Sequence, residues 1–489
     1  MAAKFAGDPR AAVKRNRAIG SSKHRDAEPA ERSEGRDMHG NFSTRKRVAV
    51  IGTGISGMSA AWLLSQRHAV TVYESDRRIG GHSNTVTVPG AQGPIAVDTG
   101  FIVYNELTYP NLTALFAHLD VPTQLSDMSF AVSLNGGDIE YSGGSLSGLF
   151  AQKRNLFQPR FWSMLRDLQR FYREAPRDLA QLEEIHTTLG DYLDANAYGA
   201  AFRSDHLVPM AAAIWSTPTN RVLSYPAASF IRFQDSHGLL KLRDRPPWRT
   251  VRGGSRAYVE RLIRAYADRI RCSTGVSAVQ RGDDCVMVRD RNGGVEIFDD
   301  AVIATHADQA LALLDDPTAQ ERRLLGAFGY SRNTAVLHSD PALMPKRRAV
   351  WSSWNHIGRA GDDDAQACPT VTYWMNALQG IPRETPLFVT LNPPRPPRDV
   401  WHSEVYEHPL FDSAAIRAQQ QLWSLQGRHN TWYCGAYFGA GFHEDGLQAG
   451  LAVAEALGGV RRPWNVANES GRIVLHRTPV EPSPAELHP

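Results

Sequence analysis

Cysteine is scarce in this sequence. Its 489 residues carry 4 of them, Cys272, Cys285, Cys368 and Cys434, and no two form a C-x-x-C pair. That scatter excludes a disulfide scaffold and the usual cysteine metal sites, so no metal is expected and a reducing cytoplasm fits best. Long apolar runs are missing too: nothing approaches the ~18–20 apolar residues that span a bilayer. Lys4, Arg10, Lys14, Arg15 and Arg17 interrupt every short apolar stretch near the N-terminus, so no signal-peptide core is read there. The expected location is the cytoplasm, with peripheral contact at the inner face of the cell membrane left open. Charge of one sign is also lacking. The 54 Lys and Arg against 51 Asp and Glu leave a formal net charge of +3, which argues against nucleic acid as a partner. What is present is 42% apolar and 21% charged residues, the balance of a packed globule, on a chain too long for one simple core.

Residues 1–44 mix Ala, Gly, Ser, Arg and Glu with few large apolar side chains and read as a disordered or weakly ordered extension. From Arg45 the pattern becomes strand (RVAVIG), glycine turn, helix (Ile55 to Gln66) and strand (VTVYE), a βαβ unit that implies a parallel sheet. The expected division is 45–145 as the first part of a nucleotide-binding domain and 146–250 as a helical substrate or membrane-side domain. Residues 251–310 and 431–460 return to the first domain, 311–430 supply a substrate-domain sheet, and 461–489 form a tail. The fold class is α/β: a Rossmann-type domain interleaved with a substrate domain of mixed sheet plus helices.

Gly52-Thr53-Gly54-Ile55-Ser56-Gly57 lies between the first strand and the first helix. Chemistry explains the spacing. The first glycine makes the tight turn, Gly54 lets backbone approach a pyrophosphate, and Gly57 lets helix and strand pack closely. Ile55 and Ser56 open the helix, whose positive end and free N–H groups face the phosphates. Glu74, at the end of the second strand with Ser75 behind it, is placed to accept from a ribose diol, which argues against NADP.

NAD and FAD share that fingerprint, and the text beyond it separates them. Asp76-Arg77-Arg78-Ile79-Gly80-Gly81-His82-Ser83 resembles the second flavin landmark of the amine-oxidase and desaturase superfamily. Val97-Asp98-Thr99-Gly100 resembles its segment near the isoalloxazine. TVRGGSRAYVERL (250–262) looks like its G-G-x-x-x-L element, followed by an adenine-side strand containing Val276 and a strand end at Thr305. Cys434 to Gly446 (CGAYFGAGFHEDG) resembles its C-terminal flavin motif, which implies FAD contacts at Gly435, Gly441, Glu444 and Asp445. The resemblance therefore implies noncovalent FAD and an amine-oxidase-like fold over nearly all of the chain after residue 45. It also implies cofactor contacts at Arg77, Gly80, Gly81, His82, Ser83, Thr99 and Gly100. GGHSNTV, VDTGFIVYNELTYPNL, SWN, YWMN and GFHEDGL bring the text nearest to bacterial FAD-dependent oxidoreductases similar to the desaturase of furan fatty acid synthesis.

That likeness implies a fatty-acyl desaturase or dehydrogenase acting on a methyl-branched unsaturated lipid. Three other readings stay open: an amine oxidase, a redox-inactive FAD-binding partner protein, and a redox-neutral isomerase. Flavin desaturation needs a C–H aimed at flavin N5 and a group to take a proton from the neighbouring carbon. Candidate catalytic residues are His443 and Glu444 in the C-terminal motif, and Tyr373 and Asn376 in a strand expected over 370–376. Trp351, Trp354, Asn355 and His356 form a further aromatic and polar cluster. Phe157, Phe161, Trp162 and Phe171 lie among Lys153, Arg154, Arg160, Arg166 and Arg170. They read either as a membrane-facing patch or as an amphipathic helix packed on the core, the second being favoured. Oligomeric state is left open, a homodimer included.

Overall fold

In the computed structural model the described residues are 45–185, 187–358 and 369–475. The extension of residues 1–44, Cys368 and the end of the tail lie outside them.

The first layer is a five-stranded sheet in the order Ile270–Arg271, Ala69–Tyr73, Arg47–Ile51, Asp300–Ile303, Thr431–Tyr433. Every pairing is parallel. Its central strands are apolar without alternation, as expected of a sheet covered on both faces. Val48, Ala49, Val50, Val302 and Ile303 are fully buried. Three distant stretches of chain thus build one sheet. Helix Ile55–Leu64 is buried along its whole length, because the closing helix His443–Leu457 packs against it. A Cβ on Gly450 would lie 2.2 Å from the Ser56 carbonyl oxygen, so the two helices meet backbone to backbone.

The second layer is a seven-stranded sheet in the order Val400–Leu410, Gly329–His338, Phe388–Leu391, Thr370–Trp374, Trp354–Gly358, Phe130–Leu134, Ile139–Ser142. Beside it stands a helical lobe whose core is Phe171, Phe202, Phe230, Ile231 and their neighbours. Among the described residues no helix is long and apolar enough to cross a membrane. The expected amphipathic segment is the helix Pro159–Ile185. Phe161 and Phe171 turn inward and are buried, whereas Phe157 is 85% and Trp162 49% exposed. Its arginines have partners inside the lobe. Arg160 Nε lies 2.8 Å from Asp205 Oδ2, and the Arg170 guanidinium sits 3.9 Å over the Tyr198 ring. Of the four aromatic residues read together in this segment, two are buried in the lobe and two stand at the surface.

One reading needs correction. The strand expected over 370–376 stops at Trp374, and Met375–Leu378 form a helical turn. Asn376 leaves the strand face because its amide is needed elsewhere. Its Nδ2 donates to the Pro382 and Thr385 carbonyls, and its Oδ1 accepts from Leu387 N at 2.8 Å. The tail is packed at its start: Arg462 is buried and donates to Asn111 Oδ1 at 2.9 Å, and Trp464 stacks on Trp62.

One buried ion pair ties two stretches of the nucleotide-binding half together. Arg281 Nη1 and Glu321 Oε1 are 2.6 Å apart with side chains 2% and 3% exposed, and Tyr433 Oη donates to the same oxygen. Replacing Glu321 by Ala leaves Arg281 with Asp316 as its remaining acidic partner, 3.0 Å from Nε, and Tyr433 Oη without its acceptor, which costs about 1–3 kcal/mol. Denaturant unfolding of Glu321→Ala checks this; a loss near ~0.5 kcal/mol, the range of an ordinary surface substitution, is the contrary result.

Candidate functional site

One cavity of about 850 Å³ runs from the first glycine loop to the helical lobe. Gly52, Gly54, Ile55 and Ser56 line its nucleotide end, with Glu74, Ser75, Gly81, His82, Thr99, Gly100, Thr305, Gly435 and Gly441. The glycine spacing is sterically required. A Cβ on Gly57 would stand 2.0 Å from the Gly52 carbonyl oxygen, whereas nothing lies within 4 Å of a Cβ built on Gly54, which leaves room for a ligand. The helix Ile55–Leu64 begins at that point with no side chain capping its first N–H groups and no acid in its first turn. Its positive end is free for phosphate. Glu74 is held by its own loop, accepting from Thr53 N at 3.0 Å and Asp76 N at 2.9 Å, and it still borders the cavity. Tyr437 Oη, on the cavity wall in the C-terminal motif, is buried without a hydrogen-bond partner. An open glycine loop, a free helix end and an orphaned hydroxyl fit a dinucleotide that extends from the sheet to this motif.

Several expected contacts do not reach the wall. Arg77 is exposed, and its neighbour Arg78 lines the cavity instead, donating to the Gly81 carbonyl. Gly80, Ser83 and Val276 are buried and are not among the residues lining the cavity. The two acids of the C-terminal motif also turn away. Glu444 Oε1 accepts from Asn111 N at 3.0 Å and Oε2 from Leu112 N at 2.9 Å. It thus caps the helix Pro110–His118, whose own N-cap residue Tyr109 provides no side-chain bond. Asp445 accepts from Phe442 N at 2.7 Å and pairs with Arg472 Nε at 2.6 Å. Neither carboxylate is among the residues lining the cavity, and Glu444, expected there, is engaged as a helix cap. Asp98, beside Thr99, is likewise occupied: it accepts from Ser255 N, Thr85 Oγ1 and Gln379 Nε2, and burial pushes its carboxyl up to about 6.

His443 and Tyr373 do line the cavity. The His443 ring stacks on Phe101 with centroids 3.9 Å apart, and its Nε2 lies 2.7 Å from Tyr258 Oη. Burial lowers its pKa to about 3, so the imidazole is neutral. Tyr373 meets Trp354 edge to face, and burial raises its hydroxyl pKa. His82 is held neutral by burial first and by neighbouring His408 and His306 next. Cys434 is buried and is not among the residues lining the cavity.

Local sequence carried no signal for His237. It follows the helix Ala227–Ser236, and its Nδ1 lies 2.9 Å from the Phe233 carbonyl oxygen. A carbonyl only accepts, so Nδ1 holds the proton and Nε2 keeps a lone pair. That Nε2 is buried without a partner, and the residue borders the cavity. Burial and the Arg472 charge lower its pKa to about 3, against the pull of the Phe233 bond. The ring is a neutral acceptor facing the cavity interior.

Fold and site together define a flavoprotein oxidoreductase that binds FAD across a parallel nucleotide-binding sheet. The model of the flavin containing amine oxidoreductase family matches residues 55–339, more than half of the chain. This protein belongs to that family. Solved structures agree in fold at low identity. A fatty acid isomerase from P. acnes, described as producing CLA, superposes with a TM-score of 0.61 at 15% identity, covering 84% of this chain and 98% of that one. Putrescine oxidase bound to putrescine gives 0.61 at 14%, covering 84% and 99%. Cyclohexylamine oxidase from Brevibacterium oxydans IH-35A gives 0.59 at 17%, with 84% and 99% covered. No curated protein matches the chain.

Gly57→Ala forces the loop off its helix. Overpacking of about 1–3 kcal/mol lowers FAD affinity by roughly tenfold or more. Flavin content after dialysis reads this directly. A variant that keeps full flavin at unchanged affinity contradicts the cradle described here.

Proposed function

We propose that this protein is a fatty-acyl desaturase or dehydrogenase, removing hydrogen from an unsaturated, methyl-branched acyl chain as in furan fatty acid synthesis. The observation that carries this reading is the wall of the cavity's helical end. Met128, Phe130, Leu168, Met210, Ile214 and Phe233 line it, and no carboxylate stands among them. The four carboxylates that do border the cavity belong to the nucleotide side. Glu74 and Asp76 lie in the ribose loop, Glu404 is 3.7 Å from Arg78, and Glu407 is 3.4 Å from His306. A buried ammonium would find no counter-charge at the helical end, whereas a hydrocarbon chain meets matching apolar surface.

FAD, when bound, supplies the acceptor for hydrogen that leaves carbon as hydride. The chain's own part is to orient and dry the substrate and to receive a proton. Phe101 and His443 stack on each other at 3.9 Å and Phe442 stacks on Phe233 at 4.7 Å, so aromatic rings border the space left for an alkyl chain. His237 Nε2, the unpartnered acceptor on this wall, takes the proton from the carbon adjacent to the one that loses hydride, although burial and the Arg472 charge make it a weak base. Its Nδ1–H stays fixed on the Phe233 carbonyl, so the accepting lone pair needs no reorientation.

The test is anaerobic mixing of FAD-loaded protein with methyl-branched unsaturated acyl lipids, following flavin absorbance and product mass. Bleaching with a product lighter by two hydrogens is expected, and His237→Leu should slow it by roughly 100-fold. Bleaching by amines alone would replace this reading with amine oxidation. A product of unchanged mass would replace it with isomerisation, and flavin that stays oxidised with lipids and amines alike would point to a redox-inactive FAD-binding protein.

A further inference from the structure

The helical end of the cavity is not uniformly apolar. His206, Tyr141, Tyr172 and Arg245 come together on its wall. His206 sits in a π-helical turn, Arg203–Leu207, between the helices Ala200–Phe202 and Val208–Trp215. Turns of that kind are rare and often mark places where a side chain is redirected for function.

The hydrogen bonds decide who donates. Tyr141 Oη gives its proton to the Asp205 carbonyl at 2.8 Å, so it accepts from His206 Nδ1 at 3.0 Å. His206 therefore carries its proton on Nδ1 and turns the Nε2 lone pair toward Tyr172 Oη, 3.4 Å away. Burial lowers the His206 pKa to about 4, and the Arg245 charge adds to that, so the ring is neutral. At 3.4 Å the Tyr172 hydroxyl is only loosely engaged, and its proton is available to a stronger acceptor.

Arg245 supplies the charge. It is exposed at the rim, and its Nε donates to the Lys241 carbonyl at 2.6 Å. Among the described residues no carboxylate pairs with its guanidinium, although the adjacent residue is Asp244. Tyr172 and Arg245 both line this cavity, and the Arg245 charge lowers the Tyr172 hydroxyl against the upward push of burial. Leu242 on the same loop is 64% exposed and also borders the cavity, so the entrance is apolar with a cation beside it.

We propose that Tyr172 and Arg245 form an anion subsite, with His206 as a positioning residue, that takes the terminal carboxylate of the acyl substrate. This rests on the acyl-chain reading of the cavity and adds that the chain enters as a free acid, its carboxylate held at the rim and its hydrocarbon running inward. A neutral ester would forfeit the charge-assisted bonds to Arg245.

Equilibrium dialysis of FAD-loaded protein with labelled dodecanoate and labelled methyl dodecanoate tests this without turnover. The wild type should hold the acid more tightly than the ester. Arg245→Glu should weaken acid binding by roughly 10- to 100-fold and leave ester binding unchanged. Tyr172→Phe should weaken the acid by a few-fold at most and leave the ester unchanged. Equal binding of acid and ester, or acid binding that survives Arg245→Glu, overturns the subsite and leaves the acyl-chain reading standing. If the wild type binds neither ligand, both fall.

Discussion

The close approach of two helices from opposite ends of the chain governs the rest of the architecture. Helix Ile55–Leu64 leaves the first glycine loop, and helix His443–Leu457 leaves the C-terminal motif. They touch at Gly450 and Gly446, where added Cβ atoms would lie 2.2 Å from Ser56 O and 2.8 Å from Ser56 Oγ. Any larger side chain there would push the helices apart, and both helix starts border the cavity. One steric condition thus brings the first glycine turn and the turn of the C-terminal motif to the same space. The burial that follows is extensive: every residue of the first helix is shielded, so its packing contributes to stability while it positions the cofactor.

Burial on that scale sets the electrostatics. Within the cavity wall His82, His206, His237, His408 and His443 are all held neutral, with desolvation the leading cause in each case. The acids that approach the same region are consumed by structure. Glu444 caps a helix, Asp445 pairs with Arg472, and Asp98 gathers donors from three segments. The result is an interior with polar shape and little net charge, which suits the binding of hydrocarbon beside a cofactor that carries its own phosphates.

The nucleotide half was legible because its signals are local. A strand, a glycine loop and a helix stand in one short run, and the acid that follows marks the ribose end. Reading inside a motif was less reliable at the level of single side chains. Successive helical residues point about 100° apart, so His443 faces the cavity while Glu444, one position on, reaches into the neighbouring helix start. Arg78 in place of Arg77 is the same kind of offset. The helical end was legible only as helices. Periodicity announced Phe161 and Phe171 as one face of a helix but carried no information on what covered it, and His206 is held by Tyr141 and Tyr172, 65 and 34 positions away, while His237 faces a cavity assembled from distant segments. Asn376 followed an alternation that its chain abandons at Trp374 to satisfy the 381–387 loop.

The central claim is that a hydrocarbon chain lies along one continuous cavity with its reacting carbons at the flavin. Quenching of flavin fluorescence by fatty acids brominated at successive carbons measures this most directly. The account predicts strong quenching for bromine at mid-chain and weak quenching for bromine beside the carboxylate. Absence of quenching at every position, with the acids bound, would contradict it.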